Sequence, residues 1–209
     1  MNDQSQQSTR RAPLGTAHEI SRDDLVELPL RRYEGTVRMV TTASEAETAM
    51  SDIRQERVTG FDTETRPAFR KGESHLPAIA QIATARAVYI FALRAAEVHG
   101  ALKELLEAPG IIKAGVALAY DLRTLKQRFE FTEHGVLDLG HAARNNGSKQ
   151  TGVRNLAGMF LGFRIPKGAS TSNWAAPRLT PAQITYAATD AWVCRELYLQ
   201  FESKGWLRN

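Results

Sequence analysis

The chain has 209 residues, of which 43% are hydrophobic and 24% are charged, and its formal net charge at pH 7 is +4. These proportions are typical of one soluble globular domain with a sizeable core and spare length for a tail. The single cysteine, Cys194, excludes an intramolecular disulfide and a cysteine-rich zinc site, and its apolar surroundings predict a core thiol. The positive net charge favours a polyanionic partner such as nucleic acid, although many soluble proteins are mildly basic.

Two features of the sequence predict its location and its domain organisation. No apolar run approaches the roughly 18 residues of a membrane span. The N-terminus also lacks the apolar segment of a secretory signal, so we expect a cytoplasmic protein. Residues 1–33 are rich in Gln, Ser, Arg and Pro and show little periodicity, which predicts a flexible N-terminal tail. The folded domain is then expected over residues 34–209.

Apolar periodicity and turn residues predict alternating strands and helices along this domain. The predicted strands are Val37–Val40, Val58–Glu64, Ala78–Thr84, Ala87–Leu93, Ile111–Val116 and Val136–Leu139. The predicted helices cover residues 45–56, 95–108, 118–129 and 181–203, and the chain from about 140 is otherwise expected to be helical, with loops around 145–151 and 164–180. Thr42 or Ser44 is expected to cap the first helix, and Thr180 and Pro181 to begin the last. The third and fourth strands should pair antiparallel, and the order predicts an α/β fold with a mixed sheet of about five strands and helices on both faces.

Two carboxylates, Asp62 and Glu64, stand one residue apart at the end of the predicted strand V-T-G-F-D-T-E. Because side chains alternate between the faces of a strand, both carboxylates project the same way, and each raises the pKa of the other. A hard divalent cation with oxygen ligands is one way to keep such a pair ionised. Two hydrated acids at a strand end that reaches solvent would explain the same pattern.

Two further motifs place an acid on a helix. Asp121 lies in K-A-G-V-A-L-A-Y-D-L-R-T-L, where a predicted strand gives way to a helix. Compensation of the helix dipole, which stabilises by about 0.3–1 kcal/mol, is an alternative reason for an acid there. In the last helix, Y-A-A-T-D places Tyr186 and Asp190 four residues apart and on one face. Small neighbours allow this face to pack closely on a sheet, although a core Tyr beside a surface Asp fits the same pattern.

Together, these motifs resemble those of the DEDD superfamily of 3′–5′ exonucleases, in the branch with a Tyr in the third motif. F-D-T-E matches the first motif, Asp121 within G-V-A-L-A-Y-D-L-R-T-L the second, and Y-A-A-T-D the third. The resemblance covers about residues 37–203, and it looks closest to the Werner-syndrome-type exonuclease domain and more distantly similar to ribonuclease D. The stretches R-P-A-F-R-K-G, K-A-G-V, S-N-W and L-T-P-A-Q-I-T-Y-A-A-T-D-A support the Werner-type match.

The resemblance implies a ribonuclease H-like, DnaQ-like exonuclease fold and catalysis with two divalent cations, Mg²⁺ or Mn²⁺. The implied catalytic residues are Asp62, Glu64, Asp121, Tyr186 and Asp190, of which the four acids are the metal ligands. By resemblance, Asp62 bridges both ions, Glu64 and Asp190 complete the shell of one, and Asp121 supports the other. Tyr186 orients or deprotonates the attacking water, and the ordinary tyrosine pKa, near 10, favours orientation. The implied products are nucleoside 5′-monophosphates released from a free 3′ end.

Basic, polar and aromatic residues near the motifs are candidates for contacts with a nucleic acid strand. The predicted contacts are Arg66, Phe69, Lys71, Lys167, Asn173 and Trp174. Cations at such positions contact phosphates whatever the sequence, and aromatic rings stack on the bases of single strands. The alternatives are solvated loop charges and core aromatics, and Trp174 in particular could simply pack under the last helix.

Three other functions remain possible from the sequence. The enzyme could be a ribonuclease D-like or oligoribonuclease-like 3′–5′ exoribonuclease, although DNA is the favoured substrate. A non-catalytic nucleic-acid-binding module is disfavoured because all four acids and the Tyr are present. An enzyme acting on free nucleotides is disfavoured because the sequence has no Gly-rich phosphate loop.

Overall fold

The computed structural model describes residues 18–70 and 72–207, in which α-helices cover a mixed β-sheet. The strands are β1 (Thr36–Val40), β2 (Val58–Thr65), β3 (Pro77–Ala83), β4 (Ala87–Ala92), β5 (Ile112–Gly115) and β6 (Val136–Asp138). The helices are α1 (Arg22–Glu27), α2 (Ala43–Ile53), α3 (His99–Glu107), α4 (Leu118–Leu125), α5 (Leu139–Asn145), α6 (Val153–Leu156) and α7 (Pro181–Ser203). Residues 1–17 of the predicted tail lie outside the described residues, as does Lys71. No helix of the described part is both long and apolar enough to cross a membrane.

The sheet of the described residues has six strands, in the order β1-β4-β3-β2-β5-β6, rather than the predicted five or so. β3 pairs antiparallel with both β2 and β4, so the antiparallel pairing predicted across the Ala-Arg turn is confirmed. β1 pairs parallel with β4, β2 with β5, and β5 with β6. The carboxyl ends of β2 and β5 therefore meet at one edge of the sheet, where the motif acids are found.

Helices cover both faces of the sheet, as the sequence predicts. Helices α2, α3 and α4 pack on one face, in a core that includes Phe61 of β2. Helices α5, α6 and α7 pack on the other, in cores that include Val58, Ile79 and the fully buried Cys194. Because strands β3 and β4 are buried on both faces, they are apolar almost throughout instead of alternating.

The helix starts follow the capping residues, and some predicted helix lengths are too long. Thr42 begins α2 and Thr180 begins α7, each as one half of a capping box. Helix α4 ends at Leu125, although the apolar pattern predicted helix to residue 129. The ring of Phe129 instead stacks on His99 with ring centroids 4.9 Å apart. Tertiary packing therefore overrides helix propensity in this segment.

Part of the segment predicted as a flexible tail packs against the domain. The backbone N–H of Ile20 donates to Gln150 Oε1 at 3.0 Å, and that of Tyr33 donates to Thr189 Oγ1 at 3.0 Å. Helix α1 also lies here, with Leu25 buried. The domain boundary predicted at residue 34 therefore falls inside a packed segment. Its anchoring groups are far away in the sequence, so local periodicity gives no sign of them.

Candidate active site

Strand β2 and helix α7 approach each other closely at Gly60. A Cβ atom at this position would overlap the carbonyl oxygen of Ala191 on α7. Glycine therefore allows the helix backbone to lie directly on the strand. Two residues further along β2, Asp62 faces the same side of the sheet, and Asp190 precedes Ala191 on the helix. The missing side chain at Gly60 thus sets the distance between two acids on different elements.

Three carboxylates converge where β2 meets α7. Oxygen atoms of Asp62, Glu64 and Asp190 all lie within 4.8 Å of one another. The side chains of Glu64 and Asp190 are 8% and 6% exposed, whereas Asp62 is partly open to solvent. The cluster is therefore a half-enclosed site with one open side, and the hydrated strand end that the sequence also allowed does not describe it.

Burial and mutual repulsion raise the pKa values of these carboxyl groups. Burial, and then the charges of Asp62 and Asp190, raise the pKa of Glu64 from 4.5 to about 10. The pKa of Asp62 is raised well above its usual range by burial and by the neighbouring Asp190 and Asp121. Burial also raises the pKa of Asp190, against the opposing effect of the Tyr186 hydroxyl and of Arg154. Without a compensating cation, the protein therefore cannot keep all of these carboxyls ionised at neutral pH.

Asp121 joins this group from the first turn of α4. The hydroxyl of Thr63 donates a hydrogen bond to Asp121 Oδ1 at 2.6 Å. Thr63 lies between the two acids of β2 and faces the other side of the strand, so its bond fixes Asp121 at the sheet edge beside them. Burial raises the pKa of Asp121, and the bond from Thr63 acts against that rise.

Tyr186 lies one helical turn before Asp190 and faces the same cluster. Its ring packs against Trp174 with ring centroids 6.0 Å apart. Burial, and then the charges of Asp190 and Glu64, raise the pKa of the Tyr186 phenol well above its ordinary value. The hydroxyl therefore stays protonated at neutral pH and can donate a hydrogen bond, but it is a poor base.

The donor set fits a hard divalent cation. Its ligand atoms are carboxylate oxygens, which Mg²⁺ and Mn²⁺ prefer, and no sulfur or imidazole is among them. The raised pKa values show that the cluster would gain from added positive charge. The acids that could hold such ions are Asp62, Glu64 and Asp190, with Asp121 beside them.

A family model described as 3′–5′ exonuclease matches residues 37–206 of the chain. The chain belongs to this exonuclease family. The fold is similar to that in the crystal structure of the Aedes aegypti Nibbler EXO domain, with a TM-score of 0.74 and 23% identity, over 84% of this chain and 91% of that one. The ribonuclease H-like, DnaQ-like fold implied by the motifs is thereby confirmed.

Two relatives of this exonuclease family show how much of a larger protein the chain matches. It is 30% identical over 189 residues to the bifunctional 3′–5′ exonuclease/ATP-dependent helicase WRN of Mus musculus, covering 85% of the chain and 13% of that protein. It is 29% identical over 164 residues to ribonuclease D of Gluconacetobacter diazotrophicus, covering 77% of the chain and 41% of that protein. The chain thus spans less than half the length of either relative.

Four of the residues predicted to contact a nucleic acid strand lie on the surface of this exonuclease domain. Phe69 is 81% exposed, and Arg66 and Asn173 are exposed as well. Lys167 is exposed and lines a surface cavity of about 590 Å³ together with Tyr186 and Arg32. Among these four exposed residues, Lys167 is the one that lines a cavity together with a motif residue. The prediction for Lys71 falls outside the described residues.

The prediction that Trp174 stacks on bases is wrong. Its side chain is 1% exposed, so neither face of the indole is open to a base. Trp174 packs with Ile79 and with the alanines of α7, which is the alternative that the sequence also allowed. Its ring also contacts the ring of Tyr186.

No role was predicted from the sequence for three polar or charged residues near the cluster. Thr63 holds Asp121, and Arg154 on α6 lowers the pKa of Asp190 through its charge. Arg32 reaches the cavity beside Tyr186 from the segment predicted as a tail. The position of Thr63 inside F-D-T-E was visible in the sequence, but its partner depends on the sheet order, which was not.

Proposed function

We propose that this chain is a metal-dependent 3′–5′ exonuclease that hydrolyses phosphodiester bonds at the 3′ end of nucleic acid and releases nucleoside 5′-monophosphates. One observation carries the proposal: three buried or half-buried carboxylates from β2 and α7 lie within 4.8 Å of one another in a fold of the exonuclease family. A purely structural role does not account for such a cluster, because each carboxyl raises the pKa of the next.

We assign two divalent cations, Mg²⁺ or Mn²⁺, to the acids of the site. Asp62 would contact both ions, as the resemblance to the exonuclease motifs implies, and its place between Asp190 and Asp121 supports this. Glu64 and Asp190 would hold one ion and Asp121 the other. Bound divalent cations supply positive charge to the attacking and the leaving oxygens of an in-line displacement at phosphorus.

The proposed role of Tyr186 is to orient the attacking water by a hydrogen bond. Its raised pKa supports this role over that of a general base, because the phenol keeps its proton at neutral pH. The packing of Trp174 against the Tyr186 ring supports the same role, since it restricts where the hydroxyl can point.

The nucleic acid strand would reach the carboxylate cluster along the side of the site that carries the basic residues. Lys167 and Arg32 line the cavity beside Tyr186, and both would contact phosphates. Arg66 and the exposed Phe69 follow β2 directly, and Phe69 would stack on a base. Asn173 and Lys71 complete the proposed contact surface.

The proposed substrate is DNA with a free 3′ end, single-stranded or recessed. The Werner-type motifs and the 30% identity to the mouse exonuclease/helicase support this choice. RNA is the second candidate, supported by the similarity to a ribonuclease D. We propose a cytoplasmic location on the basis of the sequence alone.

Degradation of labelled strands tests both the activity and the substrate. Matched DNA and RNA oligonucleotides, labelled at the 3′ or the 5′ end, are incubated with Mg²⁺, Mn²⁺ or EDTA. We expect loss of the 3′ label as nucleoside 5′-monophosphate with either metal and no degradation in EDTA. Asp62→Asn should be inactive, whereas Glu130→Gln, which alters an exposed carboxylate, should match wild type. Equal degradation by wild type and Asp62→Asn would remove the assignment, and faster loss of RNA would reverse the substrate preference.

A further inference from the structure

A buried glutamine lies directly across the sheet from Asp62. Gln81 on β3 pairs in register with Asp62 on β2, next to the pair formed by Ile79 and Glu64. Its side chain is 0% exposed. Neither its Nε2 nor its Oε1 has a hydrogen-bond partner among the residues that the structure describes. A buried polar group without a partner destabilises a fold, so the amide requires an explanation.

The register fixes the face of the sheet on which the Gln81 side chain lies. Residues that lie opposite each other on antiparallel strands share a face of the sheet, and their Cβ atoms are about 4.5–5.5 Å apart. Gln81 therefore faces the side of the sheet that carries Asp62 and Glu64, under α7. The carboxylate of Asp62 lies within reach of an extended glutamine side chain from this position.

The rest of the surroundings offer the amide little else. On the other side of Gln81, the partner residue in β4 is Ile90. Ile79, Ala83 and Ile90 belong to the apolar cluster that α7 covers with its alanines. An apolar side chain of the same length would fit such surroundings without an unpaired amide. The polar side chains that the β2–β3 register places beside Gln81 on this face are those of Asp62 and Glu64.

We propose that Gln81 is a positioning residue that donates a hydrogen bond from its side-chain amide to the Asp62 carboxylate when that carboxylate binds a divalent cation. The proposal rests on the proposed function, because it assigns Asp62 to the metal. Carboxylates that bind metals are themselves held by hydrogen bonds, which fix the orientation of the oxygen atoms that face the ion. An amide suits this task because its N–H donates a hydrogen bond without adding a positive charge that would compete with the cation.

The proposed role predicts effects of opposite sign on stability and on metal binding. Gln81→Met keeps the length of the side chain and removes the amide. The metal-free variant should be at least as stable as wild type, because the unpaired buried amide is gone. Its affinity for Mn²⁺ should fall about 10–100-fold, because Asp62 loses the donor that orients it. A residue that merely packs would instead lower stability and leave metal affinity unchanged.

The experiment compares wild type, Gln81→Met, Gln81→Asn and the control Ile79→Met. Ile79 lies on the same face of the same strand, so its variant tests side-chain shape without an amide. Titration calorimetry with Mn²⁺ gives the Kd, and thermal unfolding in EDTA gives the Tm. Gln81→Asn keeps an amide on a shorter side chain and should bind Mn²⁺ more tightly than Gln81→Met.

The possible results separate this role from the proposed function. A Gln81→Met protein with wild-type Kd, or with a Kd changed no more than that of Ile79→Met, would overturn the role of Gln81 alone. A loss of Tm in EDTA without a weaker Kd would show a packing role and overturn it too. A wild-type protein that binds no Mn²⁺ would overturn the metal site itself and, with it, both proposals.

Discussion

Replacing Glu64 by glutamine should stabilise the metal-free protein at pH 8 while abolishing metal-dependent hydrolysis. Burial and the neighbouring acids raise the pKa of Glu64 from 4.5 to about 10. The folded protein therefore keeps this proton at pH 8, whereas the unfolded chain releases it above about pH 4.5. The contribution of protonated Glu64 to the free energy of unfolding is therefore fully present below pH 4.5. It is lost progressively as the pH rises towards about 10. Glutamine does not titrate, so the variant avoids this loss.

The magnitude follows from the pH interval between the unfolded pKa of 4.5 and the assay pH. At about 1.4 kcal/mol per pH unit, an assay at pH 8 gives a ceiling of about 5 kcal/mol. Water that enters the open side of the site and small shifts of Asp62 and Asp190 reduce the realised difference. We therefore expect a gain of about 1–3 kcal/mol, which raises the Tm of a chain of this size by about 2–12 °C.

Thermal unfolding in EDTA, followed by circular dichroism at pH 8 and pH 5, measures the effect. At pH 5 the gain should shrink below about 1 kcal/mol, because the unfolded carboxyl is then only partly ionised. Glu130→Gln removes an exposed carboxylate and should leave the Tm unchanged at both pH values. Mn²⁺ at 100 times its Kd should then stabilise wild type by about 2.7 kcal/mol and the Glu64→Gln variant far less. A variant less stable than wild type at pH 8, or equally stabilised at both pH values, would refute the reasoning.

Three further substitutions test how the elements hold the site. Gly60→Ala should push α7 away from β2, cost about 1–3 kcal/mol in urea unfolding, and weaken Mn²⁺ binding; unchanged Mn²⁺ affinity would contradict this. Thr63→Val removes the 2.6 Å bond to Asp121 and should lower kcat about tenfold, whereas Thr59→Val, on the same face of β2, should not. Lys167→Ala should raise KM and reduce the slope of log K against log salt by about 0.7, the value for one single-strand phosphate. Lys103→Ala, at an exposed lysine on α3, serves as its control. Equal slopes for both variants would exclude a phosphate contact at Lys167.

The spacing of the motif residues in the sequence largely predicts which of them share a face of a strand or a helix. The two-residue spacing of Asp62 and Glu64 forces both onto one face of β2, and the four-residue spacing of Tyr186 and Asp190 forces both onto one face of α7. The capping residue Thr180 was also predictable, because its box with Gln183 is local. Local rules of this kind account for most of the elements and for the two pairs of motif residues.

What the sequence does not contain is the set of long-range contacts that orient those pairs. The bond from Thr63 to Asp121 joins residues on different elements, and it depends on where α4 begins relative to β2. The position of Gln81 opposite Asp62 depends on the β2–β3 register. The burial of Trp174 depends on how the loop before α7 folds under that helix. These features belong to tertiary packing, for which neither periodicity nor composition gives a signal.

The basic residues near the site do not neutralise its acids. The chain carries a formal net charge of +4, yet the acids of the described structure whose pKa is raised are gathered at the site: Asp62, Glu64, Asp121 and Asp190. Arg154 lowers the pKa of Asp190, but burial still outweighs it and the pKa remains raised. Lys167 and Arg32 lie at the neighbouring cavity, where they can meet phosphates without forming ion pairs with the cluster in the described structure. The protein's own cations therefore leave the acids under-neutralised, and this deficit would favour the binding of a divalent ion there.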